Sequence, residues 1–126
     1  MGLVTGTPGK EIKNILPERI AKLFDCIVAG DQVKKGKPNP EPYINAAKTL
    51  NLNPSECVVV ENGPFGIKSA KGAGMFCFAL TTSLPENYLK GADIVVDALG
   101  EITAIIDKSC QPNKESKSKR CLRKAS

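Results

Sequence analysis

Cys57-Val58-Val59-Val60-Glu61-Asn62-Gly63-Pro64 is an apolar, β-branched run that ends in a carboxylate, an amide and a Gly-Pro step. A strand with one wet face alternates apolar and polar residues; this run does not, so both of its faces must be covered. Helices on either side of a parallel sheet supply that cover. Glu61 is then the first charged group beyond a buried strand. Asn62 is of a type that caps a helix, and Pro64 is tolerated in a first helical turn. Pro64 to Ala73 continues as a helix of small residues and lysines, and Gly72 and Gly74 end it.

The flanking segments repeat the alternation. Leu3-Val4 opens the chain as a strand and stops at Gly6-Thr7-Pro8-Gly9. Ile12 to Phe24 reads as helical, with Pro17 well placed at a first helical turn. Cys26-Ile27-Val28-Ala29 is a short buried strand, and Glu41 to Leu50 has apolar residues at helical spacing. Met75 to Leu80 and Ile94 to Val96 are further strands; Pro85 to Leu89 is a short helix and Leu99 to Ile106 a last one. Strands alternating with helices predict right-handed βαβ units and a three-layer, doubly wound, mostly parallel α/β sheet.

With 126 residues, the chain is expected to hold one domain over residues 1–109 and a basic, disordered tail over 110–126. Residues 1–109 carry 12 basic and 12 acidic side chains, so the tail's six basic groups against Glu115 account for the net charge of +5. A basic run can bind phosphate backbones, but this tail has no aromatic on which bases would stack, which speaks against nucleic acid. The chain has no His, hence neither the commonest metal ligand nor the usual general base. Its five Cys show no C-x-x-C and no close pairing, and Cys26, Cys57 and Cys77 sit in apolar runs as small hydrophobes. No stretch is long enough to span a membrane and no signal peptide is visible, so a cytoplasmic location is expected.

In doubly wound sheets, ligands bind beyond the carboxyl ends of the strands. Three segments fall there: Thr5-Gly6-Thr7, the loop Gly36-Lys37-Pro38, and Glu61-Asn62-Gly63. Thr5 offers a hydroxyl beside flexible backbone N–H groups that can face an anion, or it simply ends a strand. Lys37, restrained between glycine and proline, can neutralise a phosphoryl group, or it is a solvated loop lysine beside Lys34 and Lys35. Glu61 and Asn62 offer oxygen ligands suited to Mg²⁺, or Asn62 only caps a helix. Thr5 to Lys10 comes near a nucleotide-binding glycine loop, but Val4 stands at its first glycine position and Glu11 at its Ser/Thr position.

Leu3-Val4-Thr5-Gly6, then Phe24 to Asp31 running on to Lys37-Pro38-Asn39-Pro40, then Glu61 to Ile67 ending at Ala73-Gly74, stand in a recognisable order and spacing. From Leu3 to about Ile106 the chain resembles the haloacid dehalogenase (HAD) superfamily, in its β-phosphoglucomutase-like and phosphoglycolate phosphatase-like branch. These three segments are similar to the family's second, third and fourth motifs. The resemblance implies a Mg²⁺-dependent phosphatase or sugar-phosphate phosphomutase that acts on a phosphorylated small molecule through an aspartyl-phosphate. By position, Thr5 and Gly6 would bind phosphate, Lys37 would neutralise it, and Glu61 with Asn62 would hold the metal.

The family's first motif, an Asp-x-Asp at the end of a central strand, has no counterpart in this sequence, nor has the cap that selects substrate. Asn62 stands where an Asp is usual. The chain is therefore expected to represent the carboxyl-terminal half of such an enzyme, with an incomplete core, inactive alone and with weak or no Mg²⁺ binding. The alternative is a non-catalytic remnant that keeps a phosphate-binding or interaction role. Two inner strands facing a gap would leave backbone groups unpaired, so the chain is expected to close the gap, to accept a complementing polypeptide, to self-associate, or to be marginally stable.

Overall fold

The computed structural model describes residues 1–110 and Arg123–Lys124. In chain order the elements are β1 (Gly2–Val4), α1 (Gly9–Ile15), α2 (Glu18–Ala21), β2 (Cys26–Val28), α3 (Glu41–Thr49), β3 (Cys57–Glu61), α4 (Pro64–Gly72), β4 (Phe76–Leu80), β5 (Ile94–Val96), α5 (Leu99–Cys110) and β6 (Arg123–Lys124). Single 3-10 turns occupy Gly30–Gln32, Pro54–Glu56 and Glu86–Tyr88. The expected tail disorder concerns residues that mostly lie outside those described.

The apolar run at β3 behaves as its composition demands. Cys57 and Val59 point to one side, into a cluster with Tyr43, Ala46 and Ala47 of α3 and Ile67 and Ala70 of α4. Val58 points to the other, joining Phe78, Val96 and the α5 residues Ile102 and Ile106. Because successive strand residues face opposite ways, a strand without polar positions is buried twice. The molecule is thus a three-layer α/β structure, and every strand pairing is parallel.

The sheet is split. β1 pairs with β2, and a second sheet runs β5-β4-β3-β6. No ladder joins β1 to β3 among the described residues. On the β3 edge away from β4, β6 pairs with Cys57 and Val58. Helix α3 packs against both strands of the small sheet and against α4, which lies on β3 and β4. Packing of helices, not strand pairing, therefore holds the two sheets in one body.

Two expectations from the sequence need correction. Ile12 to Phe24 is not one helix: α1 ends at Ile15, Leu16 is extended (φ −96°, ψ 110°), and Pro17 opens α2. Proline disfavours the helical region for the residue before it and has no N–H to donate, so the break falls at Leu16. The last helix runs four residues beyond Ile106, to Cys110, since the first strong breaker in the sequence is Pro112. Elsewhere the turn chemistry is as expected, with Gly74 at φ +76° after α4.

One partly exposed network braces β4. The Asp93 carboxylate accepts from Lys71 Nζ at 2.7 and 2.8 Å and from the Cys77 N–H at 2.7 Å. Burial alone would raise the Asp93 pKa; the Lys71 and Cys77 hydrogen bonds more than offset it and hold the group below its ordinary 3.8. Its contribution to stability is therefore full above pH 3.8 and is lost as pH falls through the lowered value. Burial pushes the Cys77 thiol the other way, from 9.0 to about 12. That contribution is full below pH 9.0 and is lost as pH rises toward 12.

Urea unfolding at stepped pH checks both signs. Asp93→Asn is expected to lower stability at neutral pH and flatten the acid limb. Cys77→Ala is expected to remove the part of the alkaline decline that begins near pH 9, which in the parent is on the order of a few kcal/mol. Parallel pH curves for parent and variants would contradict the assignment.

Candidate functional site

The loop between β2 and α3 is braced before it delivers its lysine. Glu41, in the first turn of α3, accepts from the backbone N–H groups of Lys34 at 2.7 Å and Lys35 at 3.1 Å. Asn39 Oδ1 accepts from the Glu41 N–H, and Ser69 Oγ of α4 donates to the Asn39 carbonyl at 2.6 Å. The Lys37–Pro38 bond is cis. Lys34 and Lys35 are exposed, whereas the Lys37 side chain is only 21% exposed. The reading of Lys37 as one more solvated loop lysine does not hold.

Lys37 Nζ donates to Glu61 Oε1 at 2.5 Å and to the Val4 carbonyl at 3.2 Å. One ammonium thus touches the ends of β1 and β3. The Tyr43 hydroxyl donates to the same Glu61 Oε1 at 2.5 Å, and the ammonium lies 5.0 Å from the Tyr43 ring centre. Glu61 Oε2 accepts from the Asn62 N–H at 3.2 Å. A carboxylate only 10% exposed is thereby compensated by three donors. Burial, and then the charge of Glu61, raise the Tyr43 pKa above its ordinary 10.0.

Two glycines make the corner possible. A β-carbon at Gly66 would stand 2.0 Å from the Glu61 carboxyl carbon. One at Gly30 would stand 2.0 Å from the Gly6 carbonyl oxygen, so the loops after β1 and β2 touch only because Gly30 has no side chain. Thr5 donates its N–H to the Val28 carbonyl at 3.0 Å, and its hydroxyl oxygen accepts from the Thr7 N–H at 3.1 Å.

All five residues singled out from the sequence, Thr5, Gly6, Lys37, Glu61 and Asn62, line one cleft of about 430 Å³ between the ends of β1 and β3. Three participants were not foreseen: Tyr43, the Val4 carbonyl and Gly66. Tyr43 lies on the apolar face of α3 and is itself buried, so helical spacing registers it as core and is silent about its hydroxyl. Gly66 was visible only as part of a motif.

Whether these groups suit a divalent cation is a matter of donors. Mg²⁺ prefers near-octahedral oxygen ligation with several open oxygens. Here Glu61 is neutralised by an ammonium, and Asn62 supplies a neutral amide whose Nδ2 donates to Ser83 Oγ at 3.1 Å. No group of three or more His, Cys, Asp or Glu side chains able to hold a metal occurs among the described residues. The residues present do not by themselves fit Mg²⁺. Nor does an aspartate line the cleft among the described residues.

Comparison with known proteins identifies the family. Residues 1–80 match the family model for haloacid dehalogenase-like hydrolases. Validoxylamine A 7'-phosphate phosphatase of Streptomyces hygroscopicus subsp. limoneus is 39% identical over 103 residues, 81% of this chain and 48% of the relative. Hexitol phosphatase A of Escherichia coli is 37% identical over 71% of this chain and 39% of its own. Among solved structures, a β-phosphoglucomutase from Clostridium difficile superposes with a TM-score of 0.70 at 29% identity, covering 86% of this chain and 49% of that one. The chain spans about half the length, or less, of these relatives. With the family model covering well over half of its residues, the chain belongs to the haloacid dehalogenase-like hydrolases, and its neighbours lie in their β-phosphoglucomutase-like branch.

Proposed function

We propose that this chain supplies the phosphate corner of a phosphoryl-transfer enzyme, a Mg²⁺-dependent phosphatase or sugar-phosphate phosphomutase acting on a phosphorylated small molecule. What carries the reading is Lys37. The end of β1, the loop between β2 and α3, and the end of β3 deliver Thr5, Lys37 and Glu61 to one cleft, and the ammonium bridges the two strand ends. A partly buried ammonium beside a hydroxyl and backbone N–H groups can hold a phosphoryl group and offset charge that builds on its oxygens. In this reading Thr5 and Gly6 bind the phosphate and Lys37 neutralises it. Glu61 is the acidic end of the corner, with the neutral amide of Asn62 beside it. A relative, the CbbY protein of Rhodobacter sphaeroides, was solved with phosphate bound.

The chain by itself is read as inactive. The attacking carboxylate and the remaining metal ligands come from another segment, an Asp-x-Asp strand on a complementing polypeptide or on sequence beyond this chain. The gap between β1 and β3 is the place for such a strand: no ladder joins the two among the described residues, and β6 covers the β3 edge only at Cys57 and Val58. Until it is filled, the same edges favour self-association. Mg²⁺ binds weakly or not at all without that strand. A non-catalytic phosphate-binding or interaction role is the second reading, favoured by the cleft's lack of an aspartate among the described residues. No helix among the described residues is long and apolar enough to cross a membrane. A cytoplasmic location belongs to the same reading.

A p-nitrophenyl phosphate assay with Mg²⁺ tests the catalytic part. The purified chain is expected to show no turnover above background, and to gain it when a polypeptide bearing an Asp-x-Asp strand is supplied. Turnover by the chain alone would overturn the account, and no gain with any such strand would leave the non-catalytic reading in place. Gly66→Ala tests the corner's construction. Its new methyl forces Glu61 out of its seat, so stability should fall by roughly 1–3 kcal/mol in chemical unfolding. An unchanged midpoint would mean that Glu61 is not held where described.

A further inference from the structure

Glu61 Oε1 receives two donors at 2.5 Å, the Lys37 ammonium and the Tyr43 hydroxyl. A carboxylate oxygen that already accepts one strong O–H donor has less electron density to offer a second. Tyr43 therefore competes with Lys37 for the group that would otherwise hold the ammonium closed. Its buried ring also lies beside the paired ammonium, 5.0 Å from the ring centre, and so offers it a second attraction besides the carboxylate. Any anion entering the cleft must draw Lys37 away from Glu61, so the strength of that pair sets how available the lysine is.

We propose that Tyr43 is a positioning residue that loosens the Lys37–Glu61 pair through its hydroxyl and so readies Lys37 for a phosphate. The proposal rests on the reading of this corner as a phosphate site, and it assigns a function to the Tyr43 hydroxyl that packing alone does not require. Packing explains the ring, which is 1% exposed within the α3–α4 core. The hydroxyl is a separate matter: a phenylalanine would fill the same core.

The test uses the full chain and inorganic phosphate, titrated by isothermal calorimetry. Tyr43→Phe keeps the ring and deletes one donor, so the unfolding midpoint should change little while phosphate affinity falls roughly tenfold. In a Glu61→Gln background the same change should have no effect, because the hydroxyl acts through that carboxylate. Glu61→Gln alone, which frees Lys37 by another route, should bind phosphate more tightly than the parent. In parallel, NMR of the Lys37 ammonium should show slower proton exchange in Tyr43→Phe, as Glu61 holds it harder. A parent chain that takes no phosphate overturns the proposed function, and the ammonium readout then decides the role of Tyr43 alone. Equal phosphate affinity for parent and Tyr43→Phe, an effect that persists without Glu61, or unchanged ammonium exchange would each overturn this proposal.

Discussion

The Lys37–Glu61 ion pair is the contact on which the rest of the site depends. The two sheets share no ladder among the described residues, yet the Lys37 ammonium donates to the end of β1 at Val4 and to the end of β3 at Glu61. It spans the gap where strand pairing does not. Both partners are substantially buried, so losing either would leave an uncompensated charge, far costlier than losing an exposed pair. The Pro-rich loop, the Glu41 and Asn39 hydrogen bonds and the missing side chain of Gly66 all place these two groups. Local structure here is organised around one charge pair.

That pair also sets the charge balance of the corner. An ammonium matched to a carboxylate has no net charge to offer, and the neighbouring amide of Asn62 adds none. A phosphate can enter only by competing for Lys37, and a cation only by competing for Glu61. Further acidic groups would shift that balance, drawing a cation to the Glu61 side and leaving Lys37 to the anion. In the proposed reading, what another segment would add is therefore negative charge as well as a nucleophile.

Much of the fold was legible because burial on both faces leaves a strong trace. Cys57 to Val60 announced a doubly covered strand, and the alternation of short apolar runs with helical spacings announced the parallel order. The break at Leu16 was less visible, because Pro17 is as acceptable at the start of a helix as it is disruptive within one, and composition does not distinguish these. For the site, the three strand ends could be named from the rule that ligands bind beyond carboxyl ends, and the order of motifs added the family. Side-chain partnerships were not legible. Nothing in the spacing of Tyr43 says that its hydroxyl reaches Glu61, and only the meeting of α3 with the end of β3 brings them together.

The most direct test of the central claim is a map of inorganic phosphate binding from amide chemical shifts of the full chain. This account predicts saturable shifts at Thr5, Gly6, Lys37 and Asn62, abolished in Lys37→Ala. Shifts confined to the basic residues beyond Cys110, or a map that Lys37→Ala leaves intact, would contradict it.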